Sequence, residues 1–149
     1  MEVTTLLKKI KTMEKIQVKV GWSGNNYSCV TENSALNGFV VVTNKTLDGL
    51  KKDLQEAIQF HIDGCVHDGD ALPEWLQQGE YELEYQLETS AMLHRLDGIL
   101  TRSAIARATG INQRQIGHYA SGHKKPRVMQ REKIINGIHA ISRELASVV

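Results

Sequence analysis

The chain has 149 residues, 41% of them hydrophobic and 23% charged, with a formal net charge of +1. That composition belongs to a soluble globular protein of one or two small domains and excludes a disordered, collagen-like or disulfide-framework class. No apolar run approaches the ~20 residues of a membrane span, and residues 1–12 lack the apolar core and small-residue cleavage site of a secretory signal, so a cytoplasmic protein is expected. The small net charge conceals an asymmetry. Residues 101–149 carry nine basic side chains against two acidic, a net +7, while residues 1–100 carry nine against fifteen, a net −6. Two halves of opposite sign point to two domains with different partners, and the basic half suits phosphate.

In chain order, residues 1–12 read as a poorly packed extension, and folding is expected to begin near Met13. Ile16, Val18 and Val20 alternate with Lys15, Gln17 and Lys19 as a half-buried strand does. Gly24, Asn25 and Asn26 supply turn chemistry, and residues 27–31 form a second short strand. Asn37-Gly38 is another turn signal, and residues 39–43 are β-branched enough for a third strand. The three together predict an antiparallel meander.

Periodicity then changes from two to about 3.6. Leu47, Leu50, Leu54, Ala57, Ile58 and Ile62 mark one helix face, with Asn44 or Thr46 as N-cap and Gly64 as the expected stop. Residues 68–73 read as a loop. The clearest strand follows, with Tyr81, Leu83, Tyr85 and Leu87 on one side and Glu80, Glu82, Glu84 and Glu88 on the other. Residues 13–89 are therefore expected to form an α+β domain, a small antiparallel sheet in strand-strand-strand-helix-strand order with one helix on it. Residues 90–149 read as helical almost throughout.

Within that basic segment, Thr101 can cap a helix whose inward positions are Ile105, Ala106 and Ala108 or Thr109. Gly110 supplies the tight turn, Ile111 plugs the core, Asn112 caps the next helix and Ile116 faces back onto the first. A small residue, a glycine four later, and apolar residues one and six after that glycine are what a helix-turn-helix requires. Its second helix, residues 113–120, would enter the major groove of double-stranded operator DNA. Gln113, Arg114, Gln115 and His118 are the expected base-reading side chains, since glutamine pairs with adenine and arginine with guanine in bidentate fashion. Arg102, Ser103, Asn112, His123, Lys124, Lys125 and Arg127 are the expected phosphate contacts, which set register without carrying sequence information. A last helix over residues 127–147 places Ile134, Ile135, Ile138, Ile141 and Leu145 on one stripe, to close the core and share in a homodimer.

The pattern of Ala106, Gly110, Ile111, Ile116 and the Gly122-His-Lys-Lys-Pro126 turn resembles the lambda-repressor-like, or Xre-type, helix-turn-helix, departing from many relatives at Tyr119-Ala120. The first domain, through residues 27–31, 38–42 and 46–58, resembles the HicB antitoxin family. That resemblance implies a reduced ribonuclease-H-like sheet. It also implies a chain that represses its own operon through the second domain and masks a small basic mRNA-cleaving toxin, HicA, with the first. The acidic residues between Asp53 and Glu88 agree with a basic partner. A solitary regulator without a toxin, or a protein-interaction adaptor, are the other readings.

Two further constellations carry less. Cys29 and Cys65 fit neither a disulfide nor a CxxC pattern and read as reduced, buried small residues. Residues 61–70 collect His61, Cys65, His67, Asp68 and Asp70, but the spacing fits neither zinc nor calcium patterns, and a helix end running into a polar loop accounts for it. Catalysis is not expected, because the strand carboxylates alternate as an exposed face does instead of converging on a metal. No cofactor or metal is implied.

Overall fold

The computed structural model describes residues 13–149, so the extension expected at residues 1–12 lies outside the described residues. Strand β1 (Glu14–Ser23) turns through Gly24 and Asn25 into β2 (Asn26–Glu32), and a single 3-10 turn (Ser34–Leu36) leads to β3 (Val41–Asn44). Helix α1 (Leu47–His67) and the short α2 (Glu74–Gln77) carry the chain to β4 (Tyr81–Leu87). Four helices complete it: α3 (Thr89–Leu96), α4 (Arg102–Thr109), α5 (Gln113–Ala120) and α6 (Val128–Ala146). The fold is α+β, a mixed sheet with six α-helices among the described residues. None of those helices is long and apolar enough to cross a membrane.

The sheet is ordered β3-β2-β1-β4, and this corrects the expected all-antiparallel arrangement. β1 pairs antiparallel with β2, and β2 with β3, but β4 lies parallel to β1, with Ile16 opposite Leu83 and Val20 opposite Leu87. Tight turns alternate the direction of the first three strands. The 21-residue α1 then carries the chain back across one face to the far edge, and a helical crossover of this kind delivers the next strand in parallel.

Alternation puts Ile16, Val18 and Val20 of β1 beside Cys29 and Thr31 of β2, all buried under Leu50, Leu54, Ile58 and Ile62 of α1. Each large aliphatic side chain so buried contributes roughly 1.5–3 kcal/mol. Thr31, a polar group in this core, is satisfied because its Oγ1 accepts the Val40 N–H at 3.0 Å. Two boundaries differ from the sequence reading: β3 starts at Val41, leaving Phe39 exposed, and α1 passes Gly64 and ends at His67. Residues 68–73 form the expected loop, and between it and β4 the unexpected α2 puts Leu76 into the core. Thr46 caps α1 as expected, its Oγ1 accepting the Gly49 N–H at 3.1 Å.

A second buried cluster, Leu93, Ile105, Ile111, Ile116, Tyr119, Ala120 and Ile134, forms among α3 to α6.

Candidate nucleic-acid interface

Local chemistry builds the α4–α5 pair. Thr101 Oγ1 accepts the Ala104 N–H at 3.0 Å, and Asn112 Oδ1 accepts the Arg114 N–H at 2.8 Å, so each helix starts on a side-chain cap. Between them Gly110 adopts φ 71°, the left-handed geometry that ends α4 cheaply only at glycine. Thr109 joins the turn: its hydroxyl donates to Ile105 O at 2.8 Å and accepts from Ile111 N–H at 3.2 Å. Ile105, Ile111 and Ile116 are buried, so the two short helices hold each other by their side chains as well as their caps. Of the inward positions expected on α4, Ile105 is buried and Thr109 half-buried, whereas Ala108 is exposed.

α5 buries Ile116, Tyr119 and Ala120 and turns its opposite face outward. Gln113 and Arg114 are exposed, but Gln115 and His118 are half-buried, because helical geometry sets them at the border of the packed face. Gln115 shares a groove of about 470 Å³ with Tyr119, Lys124, Lys125, Arg127 and Gln130, so this side chain and the cationic loop do come together. The loop is folded onto the helix by the Lys124 N–H, which donates to His118 O at 3.2 Å. His118 packs its ring 5.4 Å from that of His123, and its buried Nδ1 has no partner. Burial, followed by the charges of Lys124, His123 and Arg114, holds the His118 pKa below the ordinary histidine value.

The expected phosphate contacts divide by how free they are. Lys124, His123 and Arg127 are exposed around the end of α5. Arg102, at the start of α4, lies 3.6 Å from where a Cβ on Gly117 would stand and 3.6 Å from the Asp97 carboxylate. Ser103 is half-buried, Asn112 spends its side-chain oxygen on the α5 cap, and Lys125 is paired with Glu88 at 3.0 Å. Charge is one-sided here, since residues 101–149 contain only Glu132 and Glu144 as acids.

Sequence reasoning missed how the sheet grips this unit. Trp22, at the β1–β2 turn, stacks on His94 of α3 with ring centroids 3.4 Å apart and planes 7° apart, and Tyr27 meets both edge-on. The Trp22 N–H donates to Ser90 Oγ at 3.0 Å. Gly122, with φ 76°, passes so close that a Cβ there would lie 2.6 Å from the Trp22 carbonyl oxygen. Arg131 of α6 donates to Thr89 Oγ1 and to Leu87 O, both at 2.8 Å, tying the last strand to the last helix. The loop that follows α5 is thus held from the sheet side by a backbone contact and the Lys125–Glu88 pair. Trp22 and His94 carry no sequence spacing that would have revealed their meeting.

His61 Nε2 stands 2.6 Å from Leu36 O and 3.7 Å from Cys65 Sγ. Both cysteines are free and buried. Among the described residues no three His, Cys, Asp or Glu side chains converge as a metal site would need. Comparison with known protein families, with curated proteins and with solved structures gives no match.

Proposed function

We propose that α4, the Gly110 turn and α5 form a helix-turn-helix that lays α5 in the major groove, and that the chain is a sequence-specific transcriptional regulator. The observation that carries this reading is the doubly capped helix pair with Gln113 and Arg114 free on its outer face and a rim of Lys124, Arg127 and His123 at its end. In that pose Gln113 and Arg114 reach base edges, Gln115 and His118 supply contacts nearer the groove wall, and the cationic loop rests on phosphates. Catalysis forms no part of this proposal.

The strand-strand-strand-helix-strand order before the helical unit, and the −6 charge of the first hundred residues, support the HicB-like reading. In that reading the sheet domain masks a small basic toxin while the helical unit represses the operon. A solitary regulator with the same architecture differs only in lacking the toxin gene beside its own.

Fluorescence anisotropy with duplex DNA tests the DNA reading. Gln113→Ala and Arg114→Ala are expected to weaken binding to a selected site by ~1–3 kcal/mol each while leaving binding to random duplex nearly unchanged. Equal affinity of both variants and wild type for the selected site would overturn it. For the toxin, co-expression with the product of the neighbouring small basic reading frame is expected to give a stable complex that suppresses mRNA cleavage. Absence of such a frame selects the solitary regulator.

A further inference from the structure

β3 is an edge of the sheet, paired among the described residues only with β2. The Thr31 N–H donates to Val40 O at 3.1 Å, so Val40 and, two residues on, Val42 direct their backbone groups toward β2. Alternation in an antiparallel ladder then directs those of Val41 and Thr43 outward. Natural edges are blunted by short strands, proline, bulges or charges; Val41–Asn44 is short, but it carries no proline or charge and its register with β2 is unbroken by a bulge. Val41 is instead 63% exposed, with Phe39 beside it at 78% and Phe60 of α1 at 82%. A groove of about 520 Å³ runs between the edge and the helix, with Phe39, Val41 and Phe60 on its walls and Asp68 and Asp70 also lining it. Both layers of the α+β unit, sheet and helix, therefore end in apolar side chains at the same border.

A row of outward backbone donors and acceptors selects an extended strand as its occupant. We propose that the occupant is β3 of a second copy of this chain, joining two four-stranded sheets about a twofold axis. Charge favours a copy in antiparallel orientation. Lys45 follows β3 at one end, and Asp68 and Asp70 line the groove near Asn37, at the other. Pairing centred on Val41 sets Phe39 opposite Thr43 and brings Lys45 of each copy toward the Asp68–Asp70 end of the other. The same rotation brings the two α1 helices side by side, with Phe60 facing Phe60. Such self-complementarity is what an isologous dimer requires. The interface gives a place to the dimer expected of a helix-turn-helix regulator, but it rests on the β3 edge and not on the DNA reading.

Sedimentation velocity of the full chain without DNA, at micromolar to submillimolar concentration, tests it. Wild type is expected at twice the 16.7 kDa mass of one chain. Val41→Lys, which charges the edge, and Thr43→Pro, which removes only an outward N–H, are expected at the single-chain mass with wild-type far-UV circular dichroism. Phe60→Glu, at an exposed helix position, gives the same readout should a strand variant misfold. A wild type that stays at the single-chain mass, or variants that keep the doubled mass through α6 or another surface, would overturn the proposal. A wild type of doubled mass that binds no duplex contradicts the DNA reading and leaves this interface standing.

Discussion

Replacing Gly137 with alanine sets two effects of opposite sign against each other. In a helix interior the change normally stabilises by ~1 kcal/mol, because alanine has the better helix propensity. Here α6 crosses α4 at this residue, and the new Cβ would stand 2.5 Å from Thr109 Cγ2 and 3.6 Å from Ala108 Cβ. Carbon atoms rest at about 3.5–4.0 Å, so roughly 1 Å of separation has to be found. Thr109 cannot supply it by rotating, since its hydroxyl is fixed between Ile105 O and Ile111 N–H, bonds of about 0.5–1.5 kcal/mol each. The helices must move apart instead, at the ~1–3 kcal/mol typical of overpacking. With roughly 1 Å to be found against a methyl that cannot rotate away, the strain falls in the upper part of that range, ~2–3 kcal/mol, and outweighs the propensity, so Gly137→Ala is expected to destabilise by about 1–2 kcal/mol. Urea and thermal unfolding followed by circular dichroism measure this. Thr109→Ser keeps the hydroxyl and removes the clashing methyl, so the double variant should recover most of the loss, a coupling of ~1 kcal/mol or more. A Gly137→Ala protein as stable as wild type, or strict additivity in the double variant, would refute the reasoning.

Lys125 and Glu88 form an exposed pair across the joint between sheet and helical unit. Glu88→Gln should free the lysine and tighten binding to all duplexes alike, whereas Lys125→Ala should weaken it uniformly and lower the salt slope by about 1; a salt titration of anisotropy reads both. The depressed pKa of His118 contributes stability that is present above the ordinary histidine value of about 6.5 and is lost as pH falls through the lower folded value. A histidine ring-proton NMR titration should show its midpoint below that of a solvated histidine, and His118→Gln should flatten part of the loss of thermal stability on acidification. A His118 midpoint at or above the ordinary value contradicts the buried placement of its ring.

The sequence made most of the local structure legible because local structure is set by neighbouring residues. Thr101, Gly110 and Asn112 mark their helix ends by cap chemistry, and all three hold those positions. Ile16, Val18 and Val20 alternate because one face of β1 is buried, and they are buried. Alternation carries no direction, however, so Tyr81 to Leu87 showed a strand without showing that it runs parallel to β1. Gly64 looked like a helix stop, yet α1 continues three residues further, the cost of one interior glycine being only ~1 kcal/mol.

What stayed hidden is non-local. Gly137 resembles any weak helical residue until α4 lies against it, and Arg131 resembles a solvated cation until Leu87 O and Thr89 arrive 2.8 Å away. On the candidate reading face, residue type identified Gln113 and Arg114, which are exposed, but placed Gln115 and His118 on the same open surface. Only the packing of Ile116 and Tyr119 shows that these two sit at its border.

α5 is proposed to read bases in duplex DNA. Selection of bound duplexes from a random pool by the purified full chain, repeated with Gln113→Ala/Arg114→Ala, tests it most directly. Wild type is expected to enrich one motif, arranged as an inverted repeat when the chain binds as a twofold dimer, and the variant to lose the motif while keeping salt-sensitive binding. A pool that stays random with wild type, or the same motif enriched by the variant, would contradict it.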